Sequence, residues 1–252
     1  MKFKPPFLST KPKAQVPDGA VVYAIGDVHG RLDLLEEMFA TIDADAHGRG
    51  EAHVILLGDL VDRGPDTAGV LEACLKRRDA DPRTQFLRGN HEQALLDFLD
   101  GAEGSDVWLE WGGLETAASY WVAASGLDLD ELREALKQKI PASHLDFIRT
   151  LPLYTEIGDY IFVHAGLRPG VPLEEQEADD LLWIRSEFHK APEAAPGRVV
   201  VHGHHRQRKI ANEPGRIGVD TGAVLTGRLT AVALEGDRRW FLTVEGPPSG
   251  AE

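Results

Sequence analysis

The chain has 252 residues, with 27 Lys and Arg against 41 Asp and Glu, so its formal net charge is −14. That balance excludes a general nucleic-acid binder, because such proteins need basic surface to displace counterions from phosphates. A single cysteine, Cys74, excludes an intrachain disulfide framework and a metal site built from several cysteines. No run approaches the roughly 20 apolar residues of a membrane span. We therefore expect a cytoplasmic protein with no nucleic-acid or membrane partner, for which a monomer is a reasonable state.

Short strands and helices alternate in the first hundred residues. The strand VVYAI precedes a helix that starts at about Arg31 and has one apolar face. The strand HVILL, a helix over about 67–77, the strand QFL and a helix starting near His91 then follow in order. This βαβαβα pattern predicts strands buried in the core of an α/β domain.

The second half is predicted to be helical first and rich in strands afterwards. Residues from about 108 to 151 favour helices, while YIFV, RVVV, RIGV, LTAVALE and RWFLTVE are strand-like, with little room for helices between the last three. The pattern predicts two packed mixed β-sheets flanked by helices. We expect one catalytic domain over 19–246 with a helical cap insertion at about 105–150, a flexible or surface-laid segment over 1–18, and a tail over 247–252.

Polar residues flanked by glycine follow five of the predicted strands. They lie in GDVHG at 26–30, GDLVDRG at 58–64, RGNHE at 88–92, HAG at 164–166 and HGHH at 202–205. Ligands collect at the carboxyl ends of strands in α/β sheets, and glycine lets the backbone approach a bound ion. Carboxylate, imidazole and amide groups together suit Mn²⁺, Fe²⁺ or Zn²⁺. One such segment could be a capped turn, but five in chain order predict a metal site.

These segments resemble the signature blocks of the bacterial-type, metal-dependent serine/threonine protein phosphatases of the calcineurin-like metallophosphoesterase superfamily. The resemblance spans residues 21–245 and includes WLEWGG, LLWIRSEF and VDTGAVLTGRLTA, which are similar to segments of short bacterial phosphatases. It implies the calcineurin-like αββα fold and two divalent metal ions, with Mn²⁺ expected first and Fe or Zn as alternatives. The implied metal ligands are Asp27 and His29 on one ion, Asn90, His164 and His204 on the other, and Asp59 as the bridge.

The resemblance also implies a catalytic pair. His91 would pair with Asp62 and donate a proton to the leaving alkoxide, a role that contributes about 10²- to 10⁴-fold in other enzymes. The carboxylate would fix the tautomer of the imidazole and favour its protonated form.

Four residues are implied to bind the substrate phosphate: Arg63, Asn90, His91 and Arg185. Guanidinium groups suit this task because they offer planar pairs of donors to phosphoryl oxygens. For Arg185 an alternative is a surface ion pair with Glu187 or Asp180.

The implied reaction is hydrolysis of phosphoserine or phosphothreonine in proteins, with phosphotyrosine as a further substrate, by direct attack of a metal-bridging hydroxide. The nearest rival is a symmetrical dinucleoside-tetraphosphate hydrolase, which shares the fold and the DTG segment. In such hydrolases the acid after GDLV is typically replaced and GNHD stands in place of GNHE, whereas this chain has Asp62 and Glu92. Another small-molecule phosphoesterase, or a non-catalytic interaction module that keeps the metal fold, are the remaining alternatives.

Overall fold

Two mixed five-stranded sheets form the centre of the computed structural model, which describes residues 13–191 and 193–249. The strands of the first sheet, in spatial order, are β10 (Arg238–Glu245), β9 (Arg228–Glu235), β1 (Ala20–Ile25), β2 (Glu51–Leu56) and β3 (Thr84–Phe86). Those of the second are β4 (Tyr154–Ile157), β5 (Tyr160–Val163), β6 (Val199–His202), β8 (Arg216–Gly218) and β7 (Ala211–Asn212). In each sheet three neighbouring strands run parallel, namely β1, β2, β3 and β5, β6, β8.

Helices cover both outer faces of the paired sheets. The α-helices are α1 (Leu32–Ala46), α2 (Thr67–Ala80), α3 (Asn90–Asp100), α4 (Gly113–Ser119), α5 (Leu129–Lys139), α6 (Ala142–Thr150), α7 (Ala178–Trp183), α8 (Ser186–Lys190) and α9 (Ala223–Thr226). Two 3₁₀ helices span Ser105–Trp111 and Leu173–Glu175. None of the helices in the described ranges has both the length and the apolar character needed to cross a membrane.

Strand β1 shows why the sheets pack on both faces. Every residue of it is buried, and its side chains alternate between two apolar clusters. Val21, Tyr23 and Ile25 pack toward α1 and α2, while Val22 and Ala24 pack between the sheets. A third cluster on the outer face of the second sheet includes residues of α7 and α8. The layers are therefore helix, sheet, sheet and helix, which confirms the predicted αββα architecture.

The observed elements differ from the prediction at β4, β7, α9 and α2. Strands β4 and β7 were not predicted: β4 is a half-buried strand at the edge of its sheet, and β7 has only two residues. Helix α9 lies between β8 and β9, where we expected little room for a helix, and it fits because it has only four residues. The predicted helix over 67–77 is α2, which runs three residues further.

The ends of the described chain lie along the sandwich. The Gln15 N–H donates to Asp159 Oδ2 at 2.9 Å, and the N–H of buried Val16 donates to the carbonyl of Gly236 at 3.2 Å. Near the other end the Ser249 N–H donates to the carbonyl of Val224 at 2.9 Å. The rest of the predicted N-terminal segment, 1–12, and of the predicted tail, 250–252, lies outside the described residues.

Candidate metal centre

Backbone strain collects where the predicted ligands leave the strands. Of the six described non-glycine residues with left-handed backbone, five belong to the predicted site, with φ from 46° to 72°: His29, Asp59, Asp62, Arg63 and His204. Such residues cost about 1–3 kcal/mol each and cluster at functional sites. Close approach adds to the constraint, since a Cβ on Gly203 would lie 2.1 Å from Asp27 Oδ1. The local chain geometry at these turns is therefore of the kind found at functional sites.

One buried cluster is formed by Asp59, His164 and His204, whose candidate ligand atoms lie within 4.8 Å of one another. The His164 Nδ1–H donates to the carbonyl of Leu57 at 2.9 Å. In the neutral ring its Nε2 is then a lone pair, yet it faces Asn90 Oδ1 at 2.8 Å and Asp59 Oδ1 at 3.3 Å. His204 Nδ1 lies 2.9 Å from the same Asn90 oxygen. His164 Nε2 thus faces two further acceptors, Asn90 Oδ1 and Asp59 Oδ1, an arrangement that fits a cation held between them.

A second cluster shares Asp59 and adds His29 and His91. The His29 Nδ1–H donates to the carbonyl of Val61 at 2.8 Å, which leaves Nε2 as a lone pair 3.4 Å from Asp59 Oδ2. His91 Nε2 is further from that oxygen, at 4.0 Å. The Arg63 guanidinium lies against both rings, 2.7 Å from Nε2 of His29 and 2.7 Å from Nε2 of His91.

Asp27 lies beside these clusters and belongs to neither. Its buried carboxylate accepts the backbone N–H of His204 at 3.0 and 3.1 Å. Burial, together with the carboxylates of Asp220 and Asp59, holds the pKa of Asp27 well above its usual value. Three buried carboxylates in one site are stable as anions only if positive charge is close by. The donor set therefore fits two divalent cations, with Asp59 common to both clusters.

Burial favours the neutral, metal-binding form of His29 and His204, and it also lowers the pKa of His91 to about 4, against the protonated form that the sequence predicts for that residue. Burial lowers the pKa of His29 well below its usual value and lowers that of His204 to about 2. Neutral histidine offers a nitrogen lone pair, whereas the protonated ring offers none.

The predicted catalytic pair is in contact and fully enclosed. His91 Nδ1 lies 2.7 Å from Asp62 Oδ2, and Asp62 is 0% exposed. The carboxylate also accepts the Trp108 Nε1–H at 2.9 Å and the Thr116 Oγ1–H at 2.7 Å. Burial raises the pKa of Asp62 to about 8, and the hydrogen bonds from Thr116 and Trp108 oppose that rise. Sequence reasoning missed both supports, although Trp108 lies in the aromatic-rich segment WLEWGG.

Arg185 lies at the centre and does not form the alternative surface ion pair. Its Nε–H donates to His204 Nε2 at 3.1 Å. The ion pairs with Asp180 and Glu187 are made instead by Arg168, at 2.6 Å and 3.7 Å. Direct contacts thus link all the predicted site residues to one another.

Comparison with known proteins assigns this arrangement to a family. The sequence model of the calcineurin-like phosphoesterases matches residues 20–225. The chain belongs to the calcineurin-like phosphoesterase family. With the two buried clusters, this makes the protein a metal-dependent phosphoesterase.

Relatives of this phosphoesterase divide between two activities. A symmetrical bis(5'-nucleosyl)-tetraphosphatase of Nitrosospira multiformis is 29% identical over 210 residues, which are 79% of this chain and 66%, just under two thirds, of that protein. Serine/threonine-protein phosphatase 1 of Salmonella typhimurium is 28% identical over 218 residues, which are 85% of this chain and 92% of that protein. A crystal structure of a candidate diadenosine tetraphosphatase matches with a TM-score of 0.65 at 25% identity, covering 93% of this chain and 99% of the other.

Glu92 connects two signature segments of the phosphoesterase, 58–64 and 88–92, through hydrogen bonds. Its fully buried carboxylate accepts backbone N–H groups of Gly89 at 2.7 Å, Asp59 at 2.8 Å, Leu60 at 2.7 Å and Val61 at 3.2 Å. These bonds hold the loop after β2 against the start of α3, so Asp59 keeps its place between the clusters. Sequence reasoning used Glu92 only to distinguish subfamilies and missed this structural role.

Proposed function

We propose that this phosphoesterase is a serine/threonine protein phosphatase that hydrolyses phosphoserine and phosphothreonine, with phosphotyrosine as a further substrate. The observation that carries the proposal is the enclosed pair of Asp62 and His91. The partners of the protein would be phosphorylated proteins. We also predict a cytoplasmic setting, with no nucleic-acid or membrane partner.

The leaving group explains why the pair favours a phosphomonoesterase. A serine or threonine alkoxide leaves poorly unless it receives a proton, so an acid fixed beside the phosphate lowers the barrier. A nucleotide phosphate, whose second pKa is about 6, leaves readily as an anion. A buried carboxylate that orients His91 through Nδ1 therefore benefits the first reaction far more than the second.

The proposed metal ligands are the six predicted ones: Asp27, His29, Asp59, Asn90, His164 and His204. We propose Mn²⁺ as the principal ion, with Fe or Zn able to use the same ligands. Bound metals would supply Lewis acidity toward the phosphoryl oxygens and lower the pKa of a bound water. Asp59, which belongs to both clusters, is the natural bridge because it has two acceptor oxygens.

The protein's own groups would bind and orient the phosphate. Arg63 contacts the rings of His29 and His91, and Arg185 contacts His204, so each of the two buried clusters has one guanidinium group against it. Each offers several N–H donors to phosphoryl oxygens. Asn90 and His91 start helix α3, next to the same space.

The experiment is a substrate panel after chelation and reloading with a defined metal. We expect a higher kcat/KM for phosphoserine and phosphothreonine peptides than for diadenosine tetraphosphate. Asp62→Asn should lower the value for the peptides by about 100-fold and that for the dinucleotide by much less. Asp79→Asn, which makes the same change at an exposed surface position, should alter neither. Much faster cleavage of diadenosine tetraphosphate than of every phosphopeptide would contradict the proposal.

A dinucleoside-tetraphosphate hydrolase is the second candidate. It is favoured by the relative from Nitrosospira multiformis and by a cleft of about 430 Å³ that opens beside His29 and Arg63. The retention of His91 and of all six proposed ligands argues against a non-catalytic module.

A further inference from the structure

A cleft leads away from the metal centre between the helical cap and the loops that follow β6 and β8. Its volume is about 430 Å³, and His29 and Arg63 lie at its inner end. The cap contributes Glu110, Trp111, Gly112 and Glu115, and the opposite side contributes Arg206, Asp220, Gly222, Val224 and Leu225. A substrate whose phosphate lies at the centre can place its neighbouring atoms in this cleft.

The cap wall of the cleft carries two carboxylates. Glu110 and Glu115 are exposed, and neither has an ion pair or side-chain hydrogen bond with any residue in the part of the chain that the structure describes. Other acids of the cap do have partners, as Asp130 does in Arg133. Unpaired carboxylates next to a phosphate site repel a second phosphate group and attract a cation.

The facing wall combines the charged groups of Arg206 and Asp220 with an exposed leucine. Leu225 is 63% exposed. It lies in the four-residue helix α9, which is flanked by Gly222 and Gly227 in left-handed conformation, with φ of 77° and 68°. On the cap side the Trp111 ring packs against Trp183 at 5.2 Å between centroids. An exposed leucine opposite a fixed indole offers a place for an apolar side chain.

We propose that this cleft binds the residues that flank the phosphorylated side chain of a protein substrate. It favours a lysine or arginine against Glu110 and Glu115 and an apolar residue against Leu225. This inference rests on the proposed function and adds a sequence preference to it. The carboxylates on the cap side complement a basic flanking residue, and the cleft also includes His29 and Arg63 of the phosphate site.

The test compares matched phosphopeptides that carry arginine or alanine beside the phosphoserine. The wild-type ratio of kcat/KM, arginine over alanine, should be about 3- to 10-fold, as expected for two solvent-exposed charge pairs. In the double variant Glu110→Gln/Glu115→Gln the ratio should fall to near 1, through KM. The matched control Glu36→Gln/Glu37→Gln makes the same charge change on the exposed face of α1 and should keep the wild-type ratio.

Two further measurements separate the origins of the effect. Raising the NaCl concentration from about 0.05 to 0.5 M should reduce the wild-type ratio, because salt screens exposed charges. Diadenosine tetraphosphate should be cleaved severalfold faster by the cleft variant than by wild type, since a polyanion gains when the carboxylates are removed.

The outcomes are distinguishable from failure of the proposed function. Efficient cleavage of phosphopeptides with the same ratio in wild type and in the cleft variant would overturn the cleft assignment and leave the phosphatase activity standing. Cleavage of diadenosine tetraphosphate with no cleavage of any phosphopeptide would overturn both.

Discussion

The strand ends and the helical cap contribute to the centre in different ways. The strand ends supply candidate metal ligands directly, from turns whose backbone is fixed by left-handed residues such as Asp59 and His204. The cap supplies no metal ligand among our assignments, but Trp108 and Thr116 reach the buried Asp62 through hydrogen bonds. The difference predicts that substitutions in the cap should affect proton transfer through Asp62 while leaving metal binding intact.

The largest effect is expected at the residue shared by both clusters. Asp59→Asn keeps the shape of the side chain but removes the negative charge, so we expect loss of bound metal and a fall in kcat of more than about 1,000-fold. Metal content after gel filtration and steady-state kinetics measure the two losses. Full metal content with normal turnover would show that Asp59 holds no ion.

His91→Asn should separate chemistry from metal binding. We expect kcat for phosphopeptides to fall by about 10²- to 10⁴-fold while two equivalents of metal remain bound. His91 also belongs to one of the buried clusters, so metal content is the decisive measurement. If the variant lost one ion, His91 would be a ligand and the strand ends would control both functions.

Thr116→Val tests the contribution of the cap. The change removes the hydroxyl that donates to Asp62 Oδ1 at 2.7 Å, and we expect kcat to fall about tenfold. This hydrogen bond lowers the pKa of Asp62, so its loss should raise that pKa and move the acidic limb of the pH–rate profile to higher pH. Thr116→Ser keeps the hydroxyl and should restore both rate and profile. An unchanged profile in Thr116→Val would confine this residue to a packing role.

The smallest effect concerns His202, which is the last residue of β6. Its side chain is fully buried, and burial lowers its pKa to about 3, so the folded protein keeps it neutral while the unfolded chain binds a proton below about pH 6.5. Stability should therefore fall as the pH drops from 6.5 toward 3, with a slope of about 1.4 kcal/mol per pH unit from this residue. His202→Gln should have a shallower slope by that amount, measured by urea unfolding in the presence of EDTA. An equal slope in the variant would assign the acid sensitivity to other groups.

The fold could be predicted because its strands are strongly apolar and its strand ends carry glycine beside polar residues. Strand β1 is buried on both faces and stands out in the sequence, whereas β4 is a half-buried edge strand and β7 has two residues, too few for a pattern. The candidate ligands could be predicted because they lie in glycine-flanked segments, each within a few positions of a strand end.

The supports of the site could not be predicted in this way. Trp108 and Thr116 lie 46 and 54 positions from Asp62 along the chain, so their contact depends on how the cap folds back. The four backbone bonds of Glu92 likewise depend on the approach of two separate loops. Local sequence indicates which groups perform chemistry, whereas tertiary packing decides what holds them.

The left-handed turns at the centre bear on how readily the protein is degraded in a cell. Five such residues at about 1–3 kcal/mol each represent a sum comparable with the 5–15 kcal/mol net stability of a typical domain. Ions that bind only the folded chain would offset this cost by mass action. We therefore expect newly synthesised chains to be more readily degraded by proteases during metal starvation, so that cellular metal supply sets the abundance of the enzyme as well as its activity.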